Sequence, residues 1–558
     1  MNSNLAGFIT AALVLVLAFA APGFMQDVSG QASSDTTFVS RSELVLVPVV
    51  VKDKSGNHVA GLKKSDFAVL EDGKSKGISL FEEVRTTGKI EVARGRAEGQ
   101  FSNFVAADES PRRLLIIVFD TINTPFLQQA RAREELIDFL SKSLKHDEPV
   151  ALVSLGSTGV RQIHPFTTDS KVLVAALLRV KARSAPLEGA DLAAASNASF
   201  TPTQESDIDT ETNAIKEFQN EGPGDFVRFR QKENVRETMR GMQEIAHAYA
   251  GVPGRKSMIW ATSGFPFLLD DPRSLIGFDA SMIDSYERTW KALNQANIAV
   301  YPVDLKGVLN YVYEERFDPS LRMPRRSASI AAERHQQQQT SMQSFANATG
   351  GRACLDRNDL GKCFDLASED SEAYYLIGYY LGNEQRKAGW HKLKVEVRGD
   401  HRVRARSGFY VADQKAVKSA DLKQELGTAL AANLDYTGIH FDLKWGETVE
   451  AATKPGSKKQ AFSLTITPSA ISIDEANNNH MNVEFAALVN DDKGKYVTEI
   501  AKHVTADLKK ESVAQIRKSG LAYRHYLELA PGNYTVKFVV RDNASGRMGT
   551  VSAPLAVQ

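Results

Sequence analysis

The sequence has few of the features that mark specialised classes of protein. Its 558 residues include only two cysteines and four tryptophans, and Lys plus Arg equals Asp plus Glu at 68 each. The balanced charge gives no electrostatic reason to expect a nucleic-acid partner or an anionic membrane surface. The two cysteines also lack the nearby His or Cys partners that a zinc site requires. We therefore expect an ordinary globular protein that binds no nucleic acid.

Motifs of the common enzyme classes are missing as well. The chain contains no His-Glu-x-x-His, Gly-x-Ser-x-Gly, Gly-x-x-x-x-Gly-Lys-Ser/Thr or Gly-x-Gly-x-x-Gly. These patterns mark metalloproteases, serine hydrolases, P-loop proteins and dinucleotide-binding proteins. We therefore predict that the protein is not an enzyme.

One apolar run is long, and it lies at the N-terminus, from Leu5 to Ala21. A signal peptide needs about 7–15 apolar residues and a membrane-spanning helix about 20. Ala18-Phe-Ala20 and Gly30-Gln-Ala32 are candidate cleavage sites. An uncleaved anchor is the alternative, because the first four residues lack Lys and Arg. We expect a signal peptide within residues 1–32, a secreted or periplasmic protein, and no membrane span after cleavage.

The most informative segment of the chain is the apolar run Leu114–Phe119, which ends abruptly in Asp120-Thr-Ile-Asn-Thr124. A continuous apolar run of this length is typical of a buried parallel strand. The polar residues then lie at the carboxyl edge of the sheet, where open α/β sheets bind ligands. From Pro125 onwards apolar residues recur at helical spacing.

Three further apolar runs predict strands of the same sheet, at Val150–Ser154, Ser257–Ala261 and Ile298–Val303. Segments with helical periodicity precede the last two. This alternation predicts a doubly wound parallel sheet with right-handed crossovers.

The order of these motifs resembles the von Willebrand factor type A (VWFA) domain. Asp120-Thr-Ile-Asn-Thr124 follows the first strand, and Ile259-Trp-Ala-Thr-Ser-Gly264 lies on a later one. Phe345-Ala-Asn-Ala-Thr-Gly-Gly351, followed by Tyr374-Tyr-Leu-Ile-Gly-Tyr379, resembles the end of secreted acidobacterial VWFA-related proteins. The resemblance extends from about Val45 to Val411.

Several domains are expected along the chain. An N-terminal β module covers residues 40–90, with Asp/Gly turns typical of hairpins. The VWFA-like α/β domain covers residues 110–373, and the strands of residues 374–412, including one at Val403–Val411, are expected to join the N-terminal module. A C-terminal β-sandwich covers residues 421–558. Ser184 to about Asn234 has no sustained apolar period, and Arg316–Gln339 is expected to be exposed.

The resemblance implies a metal-ion-dependent adhesion site, in which Mg²⁺ or Mn²⁺ accepts a carboxylate from a partner protein. Asp120 and Thr124 match two of the ligands, but Ile122 replaces a serine and Ser263 replaces an aspartate. Losing one oxygen and one charge should weaken the binding of a hard cation. We therefore expect a degenerate site with weak or no metal binding. The alternative is that Asp120 caps the following helix or accepts bonds from loop amides.

Loops on an α/β scaffold favour protein recognition, and Asn123, Thr262, Ser263 and Asp304 are the expected binding-loop residues. The sequence thus predicts an exported binding protein whose partner is another protein. The alternatives are a metal-assisted hydrolase using Asp120 and Asp304, or a passive structural component of the envelope.

The two cysteines, Cys354 and Cys363, have eight residues between them. In an oxidising compartment such a pair is most simply a disulfide. Two unpaired small hydrophobic residues are the alternative.

Overall fold

The structure is a computed structural model in which residues 41–558 form one unit. It describes residues 43–86, 99–104, 113–124, 126–142, 148–180, 223–265, 280–306, 325–357, 359–381, 387, 389–411, 419–451, 456–468, 470–475 and 477–558. The predicted signal peptide lies outside these residues, as does most of the predicted polar insertion. Within these ranges, no helix combines the length and apolar character needed to cross a membrane.

The described strands of the first half of the chain are β1 (Glu43–Lys52), β2 (Phe67–Glu71), β3 (Lys74–Lys76), β4 (Leu80–Arg85), β5 (Gln100–Ser102), β6 (Leu114–Asp120), β7 (Val150–Gly156), β8 (Gly159–Thr167), β9 (Lys256–Thr262) and β10 (Ile298–Asp304). Those of the second half are β11 (Ala373–Leu381), β12 (Gly389–Val397), β13 (Arg402–Arg404), β14 (Gly408–Val411), β15 (Phe441–Glu450), β16 (Lys458–Ile466), β17 (His480–Asp491), β18 (Tyr496–Asp507), β19 (Leu521–Leu529), β20 (Gly532–Asp542) and β21 (Met548–Val557).

The described helices are α1 (Phe126–Lys142), α2 (Ser170–Leu178), α3 (Pro223–Tyr249), α4 (Ala280–Gln295), α5 (Arg325–Thr349), α6 (Gly361–Glu372), α7 (Ser419–Ala431) and α8 (Lys510–Ser519). A short 3-10 helix covers Lys64–Asp66. The fold is therefore mixed α/β.

The central sheet has the strand order β10-β9-β6-β7-β8. The first four strands are parallel, and β8 is antiparallel to β7. Strands β6, β9 and β10 are buried along their whole length, which explains their continuous apolar sequences. The four predicted strands are confirmed. The antiparallel edge strand β8 was not predicted, because its half-buried sequence shows no regular alternation.

Helices cover both faces of this sheet. On β6, Leu115, Ile117 and Phe119 share a core with residues of α1, α2 and α6. The intervening residues of β6, beginning with Leu114, share another core with residues of α3, α4 and α5. Because both faces are buried, a ligand or partner would contact this sheet at the ends of its strands.

The structure contains helices in two segments for which the sequence predicted none. Helix α5 spans Arg325–Thr349 and so covers much of the segment expected to be exposed, and its side chains from His335 to Gln339 are exposed or half-buried. Its C-terminal half carries the buried residues Met342 and Phe345, and glutamines are good helix formers in its N-terminal half. Helix α3 starts at Pro223, inside the predicted insertion, and proline is favoured at the first helical position.

The N-terminal strands pair with strands that follow the α/β region. One sheet has the order β13-β1-β11-β4 and another β14-β12-β2-β3, and their apolar residues form one cluster. The hairpin joining β2 and β3 turns at Asp72 and Gly73, whose φ values of 48° and 79° are typical of the predicted Asp-Gly turn.

The single strand predicted at Val403–Val411 was wrong. The segment contains β13 and β14, which belong to different sheets. The chain changes sheet where Ser407 N–H donates to Asn347 O, 2.8 Å away, instead of to a neighbouring strand.

The strands of the C-terminal region lie in two antiparallel sheets, β19-β16-β15-β5 and β18-β17-β20-β21, and the first also includes β5 from far earlier in the chain. Their apolar residues form one shared core, as a β-sandwich requires. Helix α7 precedes the strands from β15 onwards.

At the amino end of β9, Lys256 carries a buried amine without a described carboxylate partner. Its side chain is enclosed, with the residue 1% exposed, and Nζ donates to Val252 O at 2.6 Å and Gly254 O at 3.0 Å. Burial lowers the pKa of Lys256 from 10.5 to about 7. The charged form is therefore disfavoured in the folded protein.

We predict that Lys256→Met increases the free energy of unfolding, and does so more at pH 7 than at pH 9.5. The unfolded chain binds the Lys256 proton below its ordinary pKa of 10.5, whereas the folded chain binds it only below about pH 7. Wild-type stability should therefore fall as the pH decreases through this window. The gain from the substitution should be roughly 3 kcal/mol larger at pH 7 than at pH 9.5.

Urea unfolding at the two pH values measures this difference. Lys142→Met is the control, because Lys142 is exposed at the end of α1. An equal gain for Lys256→Met at both pH values would contradict the prediction.

Candidate functional site

The polar residues lie where the order of the central sheet reverses. From β6 the chain continues to β7 on one side, whereas β9 pairs with β6 on the other. In open α/β sheets this reversal creates a crevice at the carboxyl ends of the strands. Asp120 ends β6 and Thr262 ends β9. The sheet thus brings two predicted site residues together.

The Asp120 carboxylate is fully buried and accepts five hydrogen bonds. Oδ1 accepts from the backbone N–H groups of Ile122, at 2.9 Å, and Asn123, at 3.0 Å. Oδ2 accepts from Asn123 Nδ2 at 2.8 Å, Trp260 Nε1 at 3.0 Å and Thr262 Oγ1 at 2.9 Å. A carboxylate offers about four lone-pair sites. The protein's own donors therefore saturate Asp120 in this conformation.

Burial and hydrogen bonding act on Asp120 in opposite directions. Burial raises its pKa above the ordinary value of 3.8, and the bonds from Asn123, Thr262 and Trp260 offset part of that rise. The two amide bonds fold the loop back onto the strand end. Asp120 is thus engaged with loop amides, the alternative role considered from the sequence.

The other residues that the sequence analysis compared with an adhesion-type site are also turned inward. Thr124 is buried, and its Oγ1 accepts from Ser263 N–H at 3.3 Å. The Ser263 hydroxyl donates to Gln128 Oε1. Ile122 packs in one of the two cores beside the sheet. These side chains position the loops rather than offer oxygen atoms to solvent.

Two members of this network were missed from the sequence. Thr238, on α3, accepts a hydrogen bond of 2.9 Å from Asn123 Nδ2. Trp260 donates from within β9. A buried indole N–H usually requires an acceptor, which is a signal that Trp260 offered. Thr238 offered none, because it lies in the helix predicted before β9 and nothing local marks its hydroxyl as part of a site.

Asp304 lies at the same edge but does not join the Asp120 network. Its register partner is Thr262, and its Oδ1 accepts from Lys306 N–H at 2.9 Å. Its Oδ2 is buried without a hydrogen-bond partner. Burial raises the pKa of Asp304.

Two groups of side chains in the described part of the chain could hold a metal ion. One consists of Asp304, His335 and Asp356, at the carboxyl edge of the central sheet. The other consists of Glu71, Asp72 and His391, in the N-terminal β module. Asp120 belongs to neither group.

Cys354 and Cys363 form the predicted disulfide, with Cα atoms 5.8 Å apart. Cys354 is also tied to β10, because Asp304 N–H donates to Cys354 O at 2.9 Å and Cys354 N–H donates to Pro302 O at 2.8 Å. The disulfide therefore anchors a loop beside the end of β10.

Comparison with known proteins adds no family assignment. No protein-family model matches the chain, and no curated protein is similar to it at a significant level. The VWFA resemblance therefore stays a prediction, and the function is inferred from the geometry of this edge.

We predict that Asp120→Ala lowers the free energy of unfolding by at least about 3 kcal/mol, because several buried donors lose their acceptor at once. Asp138→Ala is the matched control, since Asp138 lies exposed on α1 and should change stability by less than about 0.5 kcal/mol. Urea unfolding of both variants measures the difference. Equal stability of the two variants would contradict the structural role of Asp120.

We also predict that Mg²⁺ does not bind at Asp120 with useful affinity. Binding would have to displace donors from a saturated carboxylate, and the site would lack an oxygen ligand at Ile122 and a negative charge at Ser263. Calorimetric titration with MgCl₂ tests this. Micromolar binding that Asp120→Ala abolishes would be the contrary result.

Proposed function

We propose that the chain is an exported, non-enzymatic binding protein that uses the loops of a VWFA-like α/β unit to contact another protein. The observation that carries this proposal is the saturation of Asp120 at the sheet reversal. A carboxylate with no free lone pair is poorly suited to bind an ion or abstract a proton, but it fixes the loops around it. Fixed loops reduce the entropic cost of binding a partner.

The alternative of a hydrolase using Asp120 and Asp304 has less support. Asp304 lies beyond Thr262, whose hydroxyl already donates to Asp120. A general base must reach its proton through an available oxygen, and Asp120 offers none in this conformation.

The contact surface of this proposal is the exposed part of the carboxyl edge. Ser157 and Thr158 are exposed in the turn between β7 and β8. This turn lies beside the Asp120 loop, because Thr121 Oγ1 donates to Leu155 O at 3.0 Å. The Asp120 network would thus hold the loop that follows β6 beside the exposed turn between β7 and β8.

The β-rich regions complete the proposal. The two C-terminal sheets are proposed to form a β-sandwich that acts as a spacer or a second contact surface. A passive envelope component would have the same architecture but no specific partner at the carboxyl edge. Binding is therefore the property that separates the two functions.

The experiment is capture of proteins from cell-envelope extracts of the source organism with the purified full chain. We expect the wild-type chain to retain a specific protein, and the double substitution Ser157→Arg and Thr158→Arg to reduce that retention at least about tenfold, since charge placed in a well-packed interface is costly. Lys142→Glu is the control. Lys142 is exposed at the end of α1, which returns across the sheet to its amino edge, so this variant should bind normally.

Two results would contradict the proposal. No protein retained above a blank matrix would favour the passive envelope component. Equal retention by the wild-type chain and the double variant would exclude this edge as the contact surface.

A further inference from the structure

We propose that Asp304, His335 and Asp356 bind a divalent first-row transition-metal ion of the zinc type. Asp304 ends β10, His335 lies on α5, and Asp356 follows Cys354. One ligand atom from each residue lies within 4.8 Å of the other two. The site is separate from the Asp120 network and goes beyond the proposed function.

The unpaired oxygen of Asp304 is the observation that points to a ligand. The residue is only 1% exposed, and its Oδ2 has no hydrogen-bond partner. A buried carboxylate oxygen without a partner is costly unless a proton or a cation compensates it. The Lys306 ammonium donates to Gln338 Oε1 at 2.7 Å, and among the described contacts it forms no ion pair with Asp304.

His335 and Asp356 converge on the same region. His335 Nε2 and Asp356 Oδ1 are 3.7 Å apart. Two ligands at about 2.0–2.1 Å from a tetrahedral zinc ion are separated by roughly 3.4 Å. The other imidazole nitrogen, Nδ1, is buried without a partner. The pair therefore has nearly the spacing of metal ligands before any adjustment.

The side-chain amide of Gln339 lies between two of the proposed ligands. Its Nε2 donates to Asp356 Oδ1 at 2.7 Å and lies 2.9 Å from His335 Nε2. A donor group thus faces two electron-rich atoms, which is also the arrangement that a cation requires. Rotation of this side chain would release both atoms to an ion.

The ligand types select the class of ion. Two carboxylates balance a charge of two, and imidazole nitrogen suits zinc and its neighbours, whereas Mg²⁺ prefers oxygen ligands in octahedral geometry. Zinc sites with three protein ligands keep a fourth position open. The proposed ion could therefore hold a water molecule or an incoming carboxylate.

Backbone and disulfide contacts hold the site in place, and one of its three ligands is open to solvent. Asp304 and Cys354 are joined by a backbone hydrogen bond of 2.9 Å, and the disulfide to Cys363 anchors the loop that leads to Asp356. The Asp356 side chain is 59% exposed, whereas that of His335 is 14% exposed. An ion can thus reach Asp356 from solvent and pass to the buried ligands.

The second acidic and histidine group provides an internal comparison. His391 Nδ1 lies 3.0 Å from Asp72 Oδ2 and 3.2 Å from Glu71 Oε1. Lys76 Nζ already lies 3.5 Å from the other oxygen of Glu71. Positive charge from the protein itself is present there, so we expect no ion.

The experiment is calorimetric titration of the chelator-treated full chain, produced without a polyhistidine tag, with ZnCl₂ and separately with MgCl₂. We expect one Zn²⁺ per chain with micromolar or tighter affinity, and no Mg²⁺ binding. Asp304→Asn and His335→Gln should each weaken Zn²⁺ binding at least about tenfold. His391→Gln, in the second group, should bind Zn²⁺ as the wild-type chain does.

Circular dichroism establishes that each variant is folded, and Asp356→Asn replaces any variant that is not. Three results would overturn the proposal. They are the absence of stoichiometric Zn²⁺ binding, unchanged binding by both ligand variants, and loss of binding in His391→Gln alone. Capture of a partner protein does not enter these measurements, so failure of the metal site and failure of the proposed function remain distinguishable.

Discussion

The buried charge of Asp370 joins the α/β region to the N-terminal strands. Its Oδ1 lies 3.0 Å from Lys52 Nζ, and its Oδ2 accepts from Tyr301 Oη at 3.1 Å and from the Arg404 guanidinium. Burial alone would raise the pKa of Asp370, yet Arg404, Lys52 and Arg255 hold it below its ordinary value. These partners come from β1, β10, β13 and the start of β9. Removing the Asp370 carboxylate would leave the buried side chains of Lys52 and Arg255 without the counter-charge that they share.

This junction lies at the amino ends of the parallel strands. The candidate site lies at their carboxyl ends. Arg255 precedes β9 and donates to Tyr301 Oη at 2.8 Å and Gly350 O at 3.0 Å. Thr262 closes the same strand and donates to Asp120. One strand thus carries the structural junction at its start and the candidate site at its end. Because the junction fixes the amino ends of the strands, the loops at their carboxyl ends can vary in sequence without loss of the fold.

Features that depend on a local sequence pattern, such as buried strands and their ends, were predicted from the sequence. Leu114–Phe119 reads as a buried strand because both of its faces are covered, and Asp120 marks its end. Contacts between distant segments were not predictable in the same way. The donors that saturate Asp120 come partly from Trp260 and Thr238, far along the chain, and the edge strand β8 has too irregular a pattern to be recognised. The glutamine-rich start of α5 read as exposed chain because the apolar residues that fix the helix lie in its second half.

The two carboxylates at this edge differ because of their positions in the sheet. Asp120 ends a central strand with β7 on one side and β9 on the other, so donors from neighbouring segments surround it. Asp304 ends β10, the outermost strand of the described sheet, with β9 on one side and the Cys354 segment, bridged to Val303, on the other. One of its oxygens accepts a backbone N–H and the other has no hydrogen-bond partner, and the carboxylate lies near His335 of α5 and Asp356 of the loop after Cys354. Both flanking segments hold Asp304 through its backbone and leave one side-chain oxygen without a donor, whereas the neighbours of Asp120 supply side-chain donors. Of the two carboxylates, Asp304 is therefore the one that can accept a partner from outside the protein.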